Sequence, residues 1–564
     1  MKKIIASMLT ACILSGCESF LDTENLTKKD NSNFPLTTED AQMALTGAYT
    51  MLRQTTDGAE GQCFFITSEI LSDDRLGGGG PDDRAAQAVN QLKKSADNMF
   101  ADPWRNAYKG IFRCNMLLES ITNITTWESE AVRKQILAET HFLRAYFYFD
   151  LCRLFGTVPL ITATAPVNNP RATPDELYAL IASDLQTAID NFPSTKIQEM
   201  PVSQLGHATK WAAQGLLARV YLFYTGYYKK EALPSTNGKS ISKQEVIAQL
   251  DDCIANSGHA LLPDFRNLWP YSNKLTQPGY KYSIDNNLSW VGEAGANTET
   301  MFAIHFGATA DWGPTSDYNN SPNLFFSIRE QPTDGIYPFG LGWGYGPANS
   351  RLWEEWSIAE PNDIRREASI LNVENPNEGL AGYKFGGDKQ WEETGYWQKK
   401  YIAVNARKED KSIIGYSHLM YGAPADYMLN NTQDLVMLRF ADVLLMAAEL
   451  KEDAIPLNLV RARAGLPAVA YSTQALRNER HWELAFEAIR YYDILRWGIA
   501  GEELSKQNGV SIKNNLVEGK MNVGNIAKRI EETGGFLQIP QTQIDLSNGV
   551  LTQTPGWTGS SIIY

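Results

Sequence analysis

Apolar side chains recur at intervals of three and four residues through the first half of the chain, which is the pattern of amphipathic helices. Thr37 can cap the first helix, whose apolar stripe is Ala41, Ala44, Leu45, Ala48 and Leu52. The same pattern predicts helices over 103–118, 128–155, 174–192 and 203–224, and a last helical block over 434–497. Paired helices with short connections favour a mainly α fold of stacked tetratricopeptide-like hairpins, although no strict repeat of about 34 residues is present.

Residues 258–432 follow a different pattern, because glycine and proline interrupt them throughout. Eight of the 14 tryptophans fall in this segment, and only a few short strands are predicted, such as 300–306. Long irregular segments in a compact protein usually carry function. We therefore predict one domain over 17–564, in which a helical scaffold (about 36–257 and 433–564) carries a loop-rich, tryptophan-rich elaboration (about 258–432).

The segment from Arg477 to Gly498 is predicted to form one helix that ends at the glycine. Glu479, Glu483 and Glu487 then share one helix face, with arginines close by to offset their repulsion. A pair of carboxylates also invites comparison with a glycoside hydrolase. The neighbouring arginines lower carboxylate pKa values and suit structural ion pairs, so we predict no catalysis here.

The N-terminal residues have the pattern of a targeting segment. Lys2 and Lys3 precede an apolar run over 4–14 that is shorter than the ~20 residues of a membrane-spanning helix, and the run ends in Leu14-Ser15-Gly16-Cys17. This predicts a lipoprotein signal peptide over 1–16 and lipidation of Cys17, which would be the only membrane anchor. The alternative is a plain secretory signal with an incidental cysteine. Acidic residues close behind Cys17 fit a lipoprotein exported to the cell surface.

Composition narrows the function classes. The formal net charge is −14, which argues against nucleic acid as a partner because phosphate binding needs clustered Lys and Arg. The chain contains no G-x-S-x-G and no H-E-x-x-H pattern, so it is not predicted to be an enzyme. The remaining cysteines, at 63, 114, 152 and 253, have no metal-ligand spacing and are predicted to be buried thiols, with disulfide pairing left open.

An acidic glycine-rich segment, 72–84, lacks the lysine of a phosphate-binding loop. Its aspartates could hold a structural calcium ion, but the spacing of a calcium loop is absent, so no cofactor or metal is predicted. The alternatives are a flexible acidic loop or contact with a sugar through Asp73 and Arg75.

Sugar binding without catalysis requires exposed aromatic rings that stack on the apolar face of a pyranose, and polar side chains that read its hydroxyls. The loop-rich segment supplies both types close together. The predicted glycan contacts are Asp73, Arg75, Trp290, Trp312, Tyr318, Asn320, Trp343 and Tyr345.

Several motifs in the correct order resemble the SusD-like (RagB/SusD) family of nutrient-uptake lipoproteins. They are the E-x-x-FLRA…LFGxVP pattern over 139–159, LRxADVLLxxAE over 438–449, LNxVRxRAGL over 457–466, ERxxELxFExxRxxDxxRW over 479–497, and the closing IP…LxQxPG pattern over 539–557. The chain departs from the family at Thr554 and Trp557, where asparagine and tyrosine are usual.

This resemblance covers essentially the whole mature chain. It implies tetratricopeptide-like helix pairs, and an outer-membrane lipoprotein facing the cell exterior that captures oligosaccharide or polysaccharide for a TonB-dependent transporter without catalysis. Because the glycan-binding positions vary within the family, none is carried over. Some relatives serve peptide uptake, so a peptide- or protein-binding lipoprotein is the alternative, and a glycoside hydrolase is a third.

Overall fold

The computed structural model describes residues 34–58, 62–292, 297–378, 380 and 382–564. The predicted signal peptide and Cys17 lie outside these residues. The fold is mainly α, about 49% helical with few short strands, as predicted. Within the described part of the chain, no helix is long and apolar enough to cross a membrane.

The first helices are long and pack in succession. Helices α1 to α8 are Thr38–Gln54, Phe64–Ile70, Arg84–Asn90, Ala101–Ser120, Glu130–Phe155, Pro174–Asn191, Lys210–Tyr228 and Lys243–Asn256. Helix α1 packs on α4, and α4 to α8 each pack on the next in the chain. These neighbouring contacts are those of stacked helix hairpins.

Local sequence signals set several of these helix ends. Thr37 caps α1 by accepting a hydrogen bond from the Asp40 amide, as predicted. Thr173 and Glu176 form a reciprocal capping box at the start of α6, where Pro174 is the first helical residue. The helix predicted from residue 203 instead begins at Lys210, because Thr209 is its cap.

The loop-rich segment contains short elements. Helices α9 to α13 are Lys281–Asp285, Ser321–Phe326, Ser350–Ala359, Ile364–Ser369 and Tyr416–Tyr421. Strands β1 (Leu233–Pro234) and β2 (Ser240–Ile241) precede this segment, and β10 (Leu435–Arg439) follows it. Within it, strands β3 to β9 are Thr300–Ile304, Ile328–Arg329, Leu341–Gly342, Ile370–Asn372, Tyr396–Gln398, Asn405–Arg407 and Ile413–Gly415. Strand β3, predicted over 300–306, pairs antiparallel with β10, with Ile304 opposite Leu435, and so ties this segment to the helices that follow.

The C-terminal part returns to helices and one hairpin. Helices α14 to α20 are Phe440–Lys451, Ala454–Arg463, Thr473–Leu484, Arg490–Arg496, Ala500–Ser505, Ile526–Thr533 and Gln541–Leu546. Strands β11 (Ser511–Asn514) and β12 (Val517–Lys520) form an antiparallel hairpin. In the loop-rich segment, β6 and β7 form an antiparallel pair across a long connection.

The prediction of one helix over Arg477 to Gly498 is wrong, because α16 ends at Leu484 and α17 begins at Arg490. Tertiary partners take the backbone groups that a continuous helix would pair internally. The Glu483 carbonyl accepts hydrogen bonds from Lys400 (2.9 Å) and Arg439 (2.6 Å), and the Ala488 amide donates to Glu69 (2.7 Å). Between the two helices, Phe486 and Ala488 adopt positive φ angles of 66° and 56°.

Candidate functional site

Trp312 is the most exposed large aromatic side chain in the part of the chain that the structure describes, with 68% of its surface accessible. Its ring is held in place at one edge, because the indole Nε1 donates a hydrogen bond to Asp426 (3.1 Å). The Asp311 carboxylate accepts from the Gly313 amide (2.7 Å) and fixes the turn that carries the ring. The structure therefore presents an apolar indole face to solvent on an anchored loop.

The carboxylate that binds this indole is followed in the chain by a tyrosine. Tyr427 is half-buried, and burial together with the charges of Asp426 and Glu330 raises its pKa. The positive charge of Arg329 acts in the opposite direction on the same phenol. We define Trp312, Asp426 and Tyr427 as the indole platform. Asp426 and Tyr427 were not predicted, because more than a hundred residues separate them from Trp312 in the sequence.

Trp343 is half-buried, and its backbone lies beside Arg329. The Trp343 amide donates to the Leu324 carbonyl (2.9 Å), and its carbonyl accepts from Arg329 (3.1 Å). Arg329 also pairs with Asp83 (3.2 Å) and Asp388 (2.9 Å). Arg329 therefore joins the Trp343 backbone to two carboxylates.

The other two half-buried aromatic predictions have ring contacts of their own. The Arg53 guanidinium lies 4.2 Å from the centre of the Tyr318 ring and covers one of its faces. The Trp290 ring meets Tyr416 edge-on, with ring centres 5.8 Å apart. Neither ring is among the large apolar side chains with high exposure.

Three predicted glycan contacts are buried, and these predictions are wrong. Arg75 is fully enclosed: it pairs with Glu69 (2.5 Å) and lies between the rings of Phe326 and Phe486. Asn320 caps α10 and donates to the Gln433 carbonyl (2.7 Å), so its side-chain amide is hydrogen-bonded to backbone groups. Tyr345 packs in the core, where Phe325 meets it edge-on.

Asp73 is half-buried, and both of its oxygens accept hydrogen bonds from Arg490 (2.8 and 2.7 Å). A sugar would have to displace this guanidinium to bind the carboxylate in the predicted way. Its neighbour Asp74 contacts His481 (2.5 Å). Donor atoms of these two aspartates and His481 lie within 4.8 Å of one another, but the arginine already compensates one of the two charges.

The glycine-rich segment is an internal backbone junction. The amides of Gly77 and Gly78 donate to Glu392 (2.8 and 3.0 Å), and the Gly79 amide donates to the Gly344 carbonyl (2.7 Å). Gly78 has a φ of 69°, and a Cβ there would lie 2.3 Å from Pro347. Close backbone packing therefore explains the glycines.

Glu483 lies in a fully buried lattice of ion pairs. Its carboxylate contacts Arg365 (2.7 Å), Arg439 and Arg463. Burial opposes its ionisation, but these three guanidinium groups outweigh burial and hold its pKa well below the usual range. Glu487 pairs with Lys400 (2.7 Å) and Arg439 (2.7 Å) in the same lattice. Neither carboxylate faces a cleft, so the two cannot flank a glycosidic bond in this fold.

Two family profiles match the chain. A family described as starch-binding and associating with the outer membrane matches residues 19–222, and the SusD family matches residues 323–557. Among known proteins, the chain is similar to SusD-like protein P38 of Formosa agariphila, with 23% identity over 89% of this chain and 92% of that protein. SusD-like protein P25 of the same organism is 25% identical over 86% of this chain and 87% of its own length.

Solved structures share the whole architecture. A laminarin-binding SusD-like protein superposes with a TM-score of 0.69 at 26% identity, covering 92% of this chain and 100% of that one. Surface glycan-binding protein A from Bacteroides thetaiotaomicron, in complex with laminarihexaose, gives a TM-score of 0.69 at 21% identity, covering 92% of this chain and 99% of that one. The two superpositions each cover 92% of this chain and show a shared fold.

Proposed function

The chain belongs to the SusD/RagB family, and on that premise we propose that it is a cell-surface lipoprotein that captures oligosaccharide or polysaccharide and passes it to a TonB-dependent outer-membrane transporter. In this proposal Cys17 carries the lipid anchor, and the protein faces the cell exterior. The ligand is bound and released without any bond being broken. The helical scaffold supplies rigidity, and the loops supply the contacts.

The exposed indole of Trp312 is the observation that carries the proposal. A pyranose ring that stacks on an indole buries apolar C–H groups against it, and nearby carboxylate or hydroxyl groups bind its rim. Asp426 supplies such a carboxylate at the indole edge, and Tyr427, the next residue in the chain, supplies a hydroxyl. In this proposal the half-buried Trp343 offers a second aromatic ring for further sugars of a chain.

The arrangement of carboxylates supports binding without hydrolysis. A glycosidase needs two carboxyl groups about 5–10 Å apart across a cleft, with the pKa of one of them raised. Glu483 is instead enclosed by guanidinium groups and has a lowered pKa. The solved relatives are named for binding laminarin and laminarihexaose, which makes a neutral β-glucan the first ligand to test.

Isothermal titration of the chain that begins at residue 18, against laminarin, starch, xylan and mannan, tests the proposal. A sugar that covers about 80 Å² of the indole gains roughly 2 kcal/mol at ~25 cal/mol per Å². Trp312→Ala should therefore weaken the best-bound glycan by about 30-fold. The expected loss lies in affinity alone, with no release of reducing ends by either protein.

Phe112→Ala is the matched control, because Phe112 is an exposed aromatic residue (48% accessible) in a separate groove on helix α4. It should leave the affinity unchanged. If the folded wild-type chain binds none of the glycans but binds peptides, and Trp312→Ala leaves that binding intact, a peptide-uptake lipoprotein replaces the glycan proposal.

A further inference from the structure

A cleft of about 530 Å³ lies between two antiparallel strand pairs. One wall is the β6–β7 pair, and the other is the β11–β12 hairpin. The backbones of Glu393 and Lys513 exchange two hydrogen bonds (2.9 and 2.8 Å), so the two walls are joined at one point. The volume lies within the ~300–1,000 Å³ that is typical of small-ligand sites.

Two aromatic rings line this cleft, and both are supported by other aromatic side chains. Tyr396 is half-buried and packs on Trp353, with ring centres 5.7 Å apart. Phe385 meets Tyr383 edge-on at 5.4 Å, and the Lys513 ammonium lies 4.0 Å from the centre of the Phe385 ring. Rings held in this way offer apolar surface without the entropic cost of being ordered on binding.

Polar groups of both charges surround the rings. Glu374 is exposed at one side, while Lys513 and Lys520 line the other, where Lys520 donates to Ser511 (2.7 Å). Glu393 is buried, and it is fixed by the Tyr383 hydroxyl (2.6 Å) and by a backbone amide. An anion would meet the carboxylates and a cation would meet the ammonium groups, so this lining suits a neutral ligand that is rich in hydroxyls.

One segment, residues 386–393, runs from the backbone beside Trp343 to the cleft. On one side of this segment, Gln390 donates to the Gly344 carbonyl (2.9 Å), and Arg329 donates to the Asp388 carbonyl (3.1 Å). On its other side, the segment ends in Glu393 at the cleft. A single stretch of backbone therefore links the surroundings of Trp343 and Arg329 to the cleft.

We propose that this cleft is a second carbohydrate subsite, which holds a distant part of the same neutral polysaccharide that stacks on Trp312. The proposal rests on the proposed function and refines it, because it makes a long polymer, and not a short oligosaccharide, the preferred ligand. Two weak subsites on one chain strengthen binding because the second contact becomes intramolecular.

Affinity electrophoresis of the chain from residue 18, in gels containing laminarin, starch, xylan or mannan, together with titration of laminarihexaose, tests the cleft. Ser511→Trp fills the cleft from an exposed position and leaves the Tyr396–Trp353 packing intact; Tyr396→Ala removes the ring itself. Each should weaken binding of the retarding polysaccharide by about tenfold or more. Neither should change the affinity for a hexasaccharide that occupies the platform alone.

Val517→Ser is the control on the same hairpin, because Val517 is 69% accessible and is not one of the residues that line the cleft. If Trp312→Ala is no longer retarded by the polysaccharide but Ser511→Trp is retarded like the wild type, the second subsite is overturned. The proposed function then still stands. If no polysaccharide retards the wild-type chain, the proposed function and the second subsite both fail. If Trp312→Ala still binds the polysaccharide and the double variant Trp312→Ala with Ser511→Trp does not, the result supports two subsites.

Discussion

Replacing Glu483 with glutamine separates a structural role from a catalytic one for the most conspicuous carboxylate in the chain. The Glu483 carboxylate accepts from Arg365, Arg439 and Arg463, and it has no measurable solvent exposure. The amide of glutamine has nearly the same shape, but its nitrogen would point a donor at a guanidinium group. Three cations would lose a shared anion, while the packing around them would hardly change.

The expected cost follows from this burial. Removing one partner of a buried ion pair costs about 3–5 kcal/mol, because the remaining charge is left uncompensated. Unfolding a chain of 564 residues carries an entropy of roughly 1.2 kcal/mol/K, at about 2.1 cal/mol/K per residue. The substitution should therefore lower the melting temperature by about 3–4 °C.

Differential scanning calorimetry and urea titration at pH 7 measure the loss, and a reducing-sugar assay is run in parallel. Glu502→Gln is the matched control, because this carboxylate is 72% exposed and lies 3.7 Å from Lys506. It should cost less than about 0.5 kcal/mol. Unchanged stability in Glu483→Gln would refute the reasoning about the lattice. If the wild type hydrolyses a glycan and the folded Glu483→Gln protein does not, Glu483 is a catalytic carboxylate instead.

Three further outcomes are expected. Burial raises the pKa of Glu392 to about 7, so ionising this group lowers the free energy of unfolding increasingly between pH 4.5 and 7. In urea titrations, the stability of Glu392→Gln relative to wild type should therefore rise by about 3 kcal/mol from pH 5 to pH 8. An equal stability difference at both pH values would contradict this. Burial also raises the pKa of Cys63 and Cys253 to about 12, so the folded chain from residue 18, which lacks Cys12 and Cys17, should leave Ellman's reagent unreacted at pH 8 until it is denatured; rapid colour from the folded protein would show an accessible thiol. Gly78→Ala should destabilise the chain by about 1–3 kcal/mol more than Gly238→Ala, because both glycines have positive φ but only Gly78 has close neighbours; equal melting temperatures would count against this junction.

Much of the scaffold could be predicted from the sequence, because helix periodicity and capping are local properties. The caps at Thr37 and Thr173 act over three residues, and the apolar stripes they precede predict which helix face is buried. The four cysteines in the described part of the chain are free and buried, as their spacing indicated. At least one exposed aromatic ring was expected in the loop-rich segment, and Trp312 is exposed there.

The predictions failed where distant partners override a local pattern. The segment after Leu484 has the periodicity of a helix, yet Lys400 and Arg439 bind the carbonyl that the next turn would have used. Arg75 and Asn320 have the chemistry of sugar-binding residues, but Glu69 and the Gln433 carbonyl occupy them inside the protein. Polar side chains alone do not reveal whether their partner is a ligand or the protein itself.

The sequence by itself determined the helical class, the family and the presence of an aromatic loop segment, since each depends on residues close together in the chain. Only the tertiary structure decided which rings face solvent and which carboxylates are enclosed by arginines. Exposure and charge pairing depend on groups such as Asp426 and Trp312, which the fold brings together from positions far apart. Side-chain type sets what a residue can do, and its three-dimensional neighbours determine whether it is free to do it.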